Sequence, residues 1–488
     1  MLEQLAHVGR DPETGGYVRD AWSRADLELR EWFAGEARRR GLDLREDRNG
    51  NLWAWWGTPS PQRPGVVTGS HLDSVRQGGA YDGPLGVVSA FAALDLLRAR
   101  SVTPAVPVGV ACFSDEEGAR FGVPCVGSRL LTGVLAPERA LALTDDDGDT
   151  LADVLKRAGR RPDALGRDDE TLACVGTFVE LHVEQGRGLA GEGRPVGVAS
   201  AIWPHGRWRF DFRGRADHAG TTRLADRDDP MLPLARMVLA AREAAERRGV
   251  VATVGKVRVS PGNANAIPGL ASAWLDARGP DEHAVRALVA ELAEAAGATW
   301  PALTPPTTPD DATAHARPAG LTDAAALARA GGAGPAQALA RAAGLDIAAA
   351  PGGAAAGGHA QARARAADAG DAQALAARAG AGDPDGRGRA AGSGGVVVRE
   401  ESWTPVVAFE AALRDRVARA AGGDTPAPIL PTGAGHDAGI LAAAGVPSAM
   451  LFVRNPTGVS HAPDEHAERA DCEAGVVALA DVLEELCR

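Results

Sequence analysis

The chain has 488 residues, 45% of them hydrophobic and 24% charged, a globular balance with too much length for one ordinary core. Acidic residues outnumber basic ones, 64 to 52, for a net charge of −12, which argues against nucleic acid or an anionic membrane surface as partner, since both reward a basic face. No window approaches the roughly 18 uninterrupted apolar residues of a membrane span.

The opening residues, MLEQLAHVGRDPETGG, hold no basic stretch followed by an apolar one, so no secretory signal is expected. Five cysteines, Cys112, Cys125, Cys174, Cys472 and Cys487, show no CxxC spacing. An odd number without that spacing fits reduced thiols in a cytoplasmic protein, not a disulfide framework or a thiolate metal site. A small anionic substrate remains open, because one or two local arginines suffice to hold it.

Up to about residue 200, apolar β-branched runs alternate with helical stretches. GVVTGSHLDS (65–74) reads as a buried strand entering a loop, and GPLGVVSAFAALDLLRAR (83–100) as the helix after it. PVGVACFSDEE (107–117) and TFVELHVEQG (177–186) read as further buried strands. Continuous apolar strands between helices predict an α/β domain, its mostly parallel sheet covered by helices on both faces. From about Trp203 the period changes. RWRFDFRGRADHAG (207–220) alternates as a strand with one wet face, followed by a long helix from Pro230, strands over 250–278 and a helix over 281–297. These form an inserted α+β domain.

Residues 299–394 are dominated by Ala, Gly, Pro, Arg and Asp, with too few large apolar side chains to offset ordering entropy, so a disordered or loosely helical insertion is expected there. His315 and His359 within it receive no role. Order resumes with a strand at 396–409, and the segments after it return to the first pattern. The boundaries are therefore 1–202 and 407–488 for the α/β domain, with 203–406 inserted between.

Five separated segments place a metal-competent residue just after an apolar run: His71, Asp82, the pair Glu116–Glu117, His182 and His461. In open α/β sheets, ligands gather at the carboxyl ends of strands. Imidazole with carboxylate suits zinc foremost, with manganese, cobalt or nickel as competitors. A carboxylate can bridge two cations, and Asp82 is the candidate. Of two adjacent acids, one can bind metal while the other takes a proton from activated water. Asp73, two residues after His71, is placed to accept that ring's other N–H. Each segment alone is commonplace, a structural histidine or a turn; recurrence in five is not.

Together GSHLDSVRQGGAYDGPLGV, SDEEGARFG, ELHVEQG, DHAGTT, NAIPG, LDAR, GAGHDAG and SHAPDE resemble the dinuclear-metal, peptidase-related amidohydrolases, in the branch of allantoate amidohydrolase, N-carbamoyl-L-amino acid hydrolase and β-ureidopropionase. The resemblance implies two divalent cations on His71, Asp82 (bridging), Glu117, His182 and His461, with Glu116 as general base. It implies His218 polarising the scissile carbonyl, Asn265 and Arg278 on the substrate carboxylate, and His436 in support. The inserted domain becomes a lid that carries a homodimer contact and closes to bring His218, Asn265 and Arg278 onto substrate. His205 departs from the glutamine-containing segment of several relatives, while His7, His283 and His466 read as structural or exposed. Allantoate and N-carbamoyl-L-amino acids are the leading substrates; dipeptidase or aminoacylase activity and an inactive metabolite-binding homologue are the alternatives.

Overall fold

The computed structural model describes residues 1–297 and 395–488; the insertion expected at 299–394, with its two histidines, lies outside the described residues. The first six strands are β1 (Asp43–Glu46), β2 (Leu52–Trp56), β3 (Gly65–His71), β4 (Val108–Phe113), β5 (Val175–Val183) and β6 (Val196–Ile202). An inserted unit follows with β7 (His205–Arg213), β8 (Asp217–His218), β9 (Val251–Ser260), β10 (Ala266–Ile267), β11 (Leu270–Arg278) and β12 (Val396–Thr404). The chain then returns to the first sheet as β13 (Val407–Ala408), β14 (Ile429–Thr432) and β15 (Ser448–Val453).

The large sheet runs β1-β2-β4-β3-β5-β15-β6-β13, with β14 also on β6. Its centre, β4-β3-β5-β15, is parallel, and the pairs flanking that centre are antiparallel. Parallel strands buried on both faces need helices on each side. Helices Pro84–Ala99 and Arg469–Leu486 cover one face through Phe91, Leu94, Leu479 and Leu483. Helix Asp437–Ala443 lies on the other, where Phe113, Phe178 and Phe452 meet Leu441. Among the described residues no helix is long and apolar enough to cross a membrane.

The inserted unit is an antiparallel sheet, β12-β7-β11-β9. Its helices Met231–Arg248 and Glu282–Ala295 bury Trp208, Phe210 and Phe212 of β7. Period-2 alternation turns His205 and Arg207 to the opposite face. There the register sets Arg278, His205 and Thr404 in one row across three strands, and Asp276, Arg207 and Ser402 in the next.

The expected single strand at 396–409 is two. Pro405 has no N–H for a ladder and restrains Thr404 before it, so the chain leaves the inserted sheet after β12 and rejoins the large sheet at β13. The opposite crossing, between Ile202 and His205, also runs through a proline, Pro204. Both crossings fall at the same end of the inserted sheet, which sets the Arg278–His205–Thr404 row beside the large unit.

Candidate active site

His71 is the last residue of β3, and its register partner Phe113 is the last residue of β4. His182 stands one residue before the end of β5. The parallel centre therefore delivers both rings to its carboxyl edge. The strand expected to run to 117 ends at Phe113; Asp115 turns through φ 54°, leaving Glu116 and Glu117 on a loop over that edge. Asp82 reaches the same point from the loop before helix Pro84–Ala99. Gly83, which caps that helix, has φ 81°, and a Cβ there would strike the His71 ring.

The side chains form two triads sharing Asp82. One is His71, Asp82 and His182; the other is Asp82, Glu117 and His461. Asp82 Oδ1 lies 3.5 Å from His71 Nε2 and 3.2 Å from His182 Nε2. Its Oδ2 lies 3.4 Å from His461 Nε2, which is also 3.4 Å from Glu117 Oε2. Each buried ring is anchored by its other nitrogen: His71 Nδ1 donates to the Asp73 carbonyl at 3.1 Å and His182 Nδ1 to the Val183 carbonyl at 2.8 Å. Both Nε2 atoms are buried with no hydrogen-bond partner. Ring nitrogens fixed in orientation and left unsatisfied are what a metal ligand presents.

The charges point the same way. Burial pushes the Glu116 carboxyl well above its usual range and that of Glu117 to about 7, the latter with help from the Asp82 charge. Burial disfavours the cationic rings of His71 and His182, yet the surrounding carboxylates outweigh it, holding His71 well above its ordinary value and His182 at about 8. Asp82, opposed by burial, is held well below by His182, His71 and His461. This is a buried acid cluster whose own cations do not balance it. Divalent ions between the triads would supply the missing charge, so the residues present fit the group.

Asp73 differs from expectation. Its carboxylate, 3.7 Å from His71 Nδ1, instead accepts the backbone N–H of Glu116 at 3.2 Å and of Glu117 at 3.0 Å; its main-chain carbonyl takes the ring proton. Three neighbours had no forecast role. Gln185 Nε2 donates to Asp82 Oδ2 at 2.8 Å, Glu465 accepts from the N–H groups of Tyr81 and Asp82, and the Cys125 thiol donates to Glu116 Oε1 at 3.2 Å. Gln185 and Glu465 sit within ELHVEQG and SHAPDEH, so proximity to a ligand histidine could have flagged them; nothing local marks Cys125.

A cavity of about 610 Å³ opens over this edge, and Asp82, Glu116, Glu117 and His461 reach its wall. His436 and Arg278 also line it; the His436 ring lies 4.5 Å from that of His182 and burial keeps it neutral. Arg278 donates from Nε and Nη2 to Asp276 Oδ1 and from Nη1 to the Gly433 carbonyl at 2.9 Å.

His218 and Asn265 are not brought there. On the exposed two-stranded β8–β10 ribbon His218 pairs with Ala266, and the Asn265 carbonyl accepts the Ala219 N–H beside it. That ribbon follows the Arg213 end of β7, whereas the cavity meets the His205 end; nine residues of strand separate them by about 27 Å. Closure of the lid as a rigid body therefore cannot put Arg278 and His218 of one chain on one substrate.

The family model described as peptidase family M20/M25/M40 matches residues 67–485. N-carbamoyl-L-amino acid amidohydrolase of Geobacillus stearothermophilus is 39% identical over 282 residues, covering 57% of this chain and 68% of that protein. Allantoate amidohydrolase of Escherichia coli strain K12 is 34% identical over 297 residues, 60% of this chain and 71% of that protein. A solved structure from Burkholderia vietnamiensis, described as an amidase of the hydantoinase/carbamoylase family, is 26% identical with a TM-score of 0.73, covering 100% of this chain and 96% of that one.

Proposed function

Since the chain belongs to peptidase family M20/M25/M40, we propose that it is a metal-dependent amidohydrolase cleaving the carbamoyl or ureido C–N bond of a small carboxylate substrate. Allantoate and N-carbamoyl-L-amino acids are the leading substrates. The observation that carries this reading is the pair of triads sharing Asp82, opening onto a cavity whose far wall holds Arg278. With every triad position filled and two of the most similar relatives named for carbamoyl or ureido substrates, nothing specific favours a peptidase or an inactive homologue.

His71, Asp82 and His182 would hold one divalent cation, and Asp82, Glu117 and His461 the other, zinc foremost. When bound, such a pair polarises the carbonyl and lowers the pKa of water. Glu116 is the general base: Cys125 holds its Oε1, which leaves Oε2, 3.7 Å from His71 Nε2, toward the reacting atoms. It takes a proton from the attacking water and returns it to the leaving nitrogen. Arg278 has five N–H groups, three of them committed. The remaining two, one on each terminal nitrogen, form an end-on fork for a carboxylate.

His218 and Asn265 reach this cavity from a second copy of the chain. Leu232 and Leu239 of helix Met231–Arg248 are 58% and 69% exposed, and edge strand β9 exposes Val257 and Val259. An apolar helix face beside an unpaired strand edge supports a homodimer through the inserted unit. Five free thiols suit the cytoplasm.

The test is ammonia release by the metal-loaded protein from allantoate and from N-carbamoyl-L-amino acids, repeated with Glu116→Gln. Hydrolysis by the wild type and a kcat loss of about 10²- to 10⁴-fold in the variant, with metal content unchanged, is expected. Full turnover by the variant removes Glu116 from its role.

A further inference from the structure

Beside Arg278, three more polar side chains on the cavity wall, His205, Thr404 and Arg129, are not used by the hydrolysis described above. Arg278, His205 and Thr404 are register partners across β11, β7 and β12, so their side chains lie next to one another on one face. Arg129, from helix Val126–Thr132 of the large unit, extends the row by donating from Nη2 to Thr404 Oγ1 at 3.1 Å. All four line the cavity.

The hydrogen-bonding capacity of this row is specific. His205 Nδ1 donates to the Trp203 carbonyl at 2.9 Å, so Nε2 carries the lone pair. Burial, with the Arg278 and Arg129 charges beyond it, lowers the ring's pKa to about 4, so the imidazole is neutral. Gly435 passes in front of Nε2, where a side chain's Cβ would stand 2.9 Å away; its absence leaves that lone pair accessible. Among the described residues the Arg129 side chain makes no ion pair and donates only to Thr404, which leaves its other Nη N–H groups without a partner. The wall therefore offers, beside the Arg278 fork, an unsatisfied cationic donor next to a neutral acceptor.

We infer that Arg129 and His205 together bind a second ureido or carboxamide group of the substrate, one that is not cleaved. A planar amide presents a carbonyl oxygen, which Arg129 N–H groups satisfy, and an N–H, which His205 Nε2 accepts. A second carboxylate would satisfy Arg129 but turn its charge toward the His205 lone pair. An alkyl side chain would leave a guanidinium N–H unpaired and cut off from water, which is unfavourable. The inference rests on the amidohydrolase reading and narrows its substrate to a carboxylate bearing two ureido-type groups.

Three probes separate the possibilities: allantoate, with a carboxylate and two ureido groups on one carbon; N-carbamoylglycine, with one ureido group; and N-carbamoyl-L-aspartate, with a second carboxylate. The metal-loaded wild type is expected to prefer allantoate by kcat/KM about 100-fold or more, since a site built to bond a polar group rejects analogues lacking it. In His205→Leu and Arg129→Met, the allantoate to N-carbamoylglycine ratio falls about tenfold or more with bound metal unchanged. His205→Gln, which keeps an acceptor, recovers part of the ratio. A wild-type ratio near one, a preference for N-carbamoyl-L-aspartate, or variants that slow both substrates equally overturns the inference. If the metal-loaded wild type hydrolyses none of the three, the amidohydrolase reading itself falls and takes this inference with it.

Discussion

At the residue scale, Gly83 shows how tightly the ligand geometry is set. Its φ of 81° and its closeness to the His71 ring mean that a methyl group strains the backbone and displaces a ligand together. Gly83→Ala is expected to lose about 1–3 kcal/mol of stability and to weaken metal binding, read by denaturant unfolding and by metal titration. Unchanged affinity would show that the His71 ring has room to move. Asp73 illustrates what the sequence could not reveal. Its spacing from His71 suggested a side-chain bond to the ring, but the turn after β3 brings the carbonyl there and sends the carboxylate to the Glu116 and Glu117 N–H groups. Spacing predicts that two groups are close; it does not say which atom of a residue makes the bond.

At the scale of elements, the apolar runs marked the buried strands, and their carboxyl ends are where His71 and His182 lie. Strand ends were less legible. Pro405 divides the strand expected at 396–409 between two sheets; the proline is a local sign of the break, but which sheet each half joins depends on tertiary pairing that no local pattern shows. Edge strand β9 and helix Met231–Arg248 are expected from the sequence only as a strand and a long helix, and the structure adds that they leave Leu239 and Val257 exposed. Placing a charge at both, Leu239→Arg with Val257→Arg, is expected to yield a monomer by light scattering. That monomer should retain its metal and lose most of its activity. A fully active monomer would remove the partner's β8–β10 ribbon from the reaction.

At the scale of the whole molecule, residues 71 to 461 converge because β3, β4, β5 and β15 are neighbours in one sheet although the chain visits them far apart. The acids and histidines that meet around Asp82 were readable from five motifs, as was a mostly parallel α/β sheet with a second, antiparallel one inserted. The reach of the second unit was not: that His218, on a separate two-stranded ribbon past the Arg213 end of β7, stands away from Arg278, which pairs with His205 at the other end, follows only from register. Mixed dimers test the consequence. Coexpressed Glu116→Gln and His218→Ala chains, each inactive alone, should recover about a quarter of wild-type activity, the share of intact sites when copies pair at random in a twofold dimer. No recovery would mean that each chain uses its own β8–β10 ribbon.

The central claim is that two cations share Asp82. Anomalous diffraction from crystals of the protein loaded with zinc tests it most directly. The account predicts two peaks per chain on either side of the Asp82 carboxylate, one against His71 and His182, the other against Glu117 and His461, and loss of both in Asp82→Ala. A single peak away from Asp82, or two that persist in that variant, would contradict it.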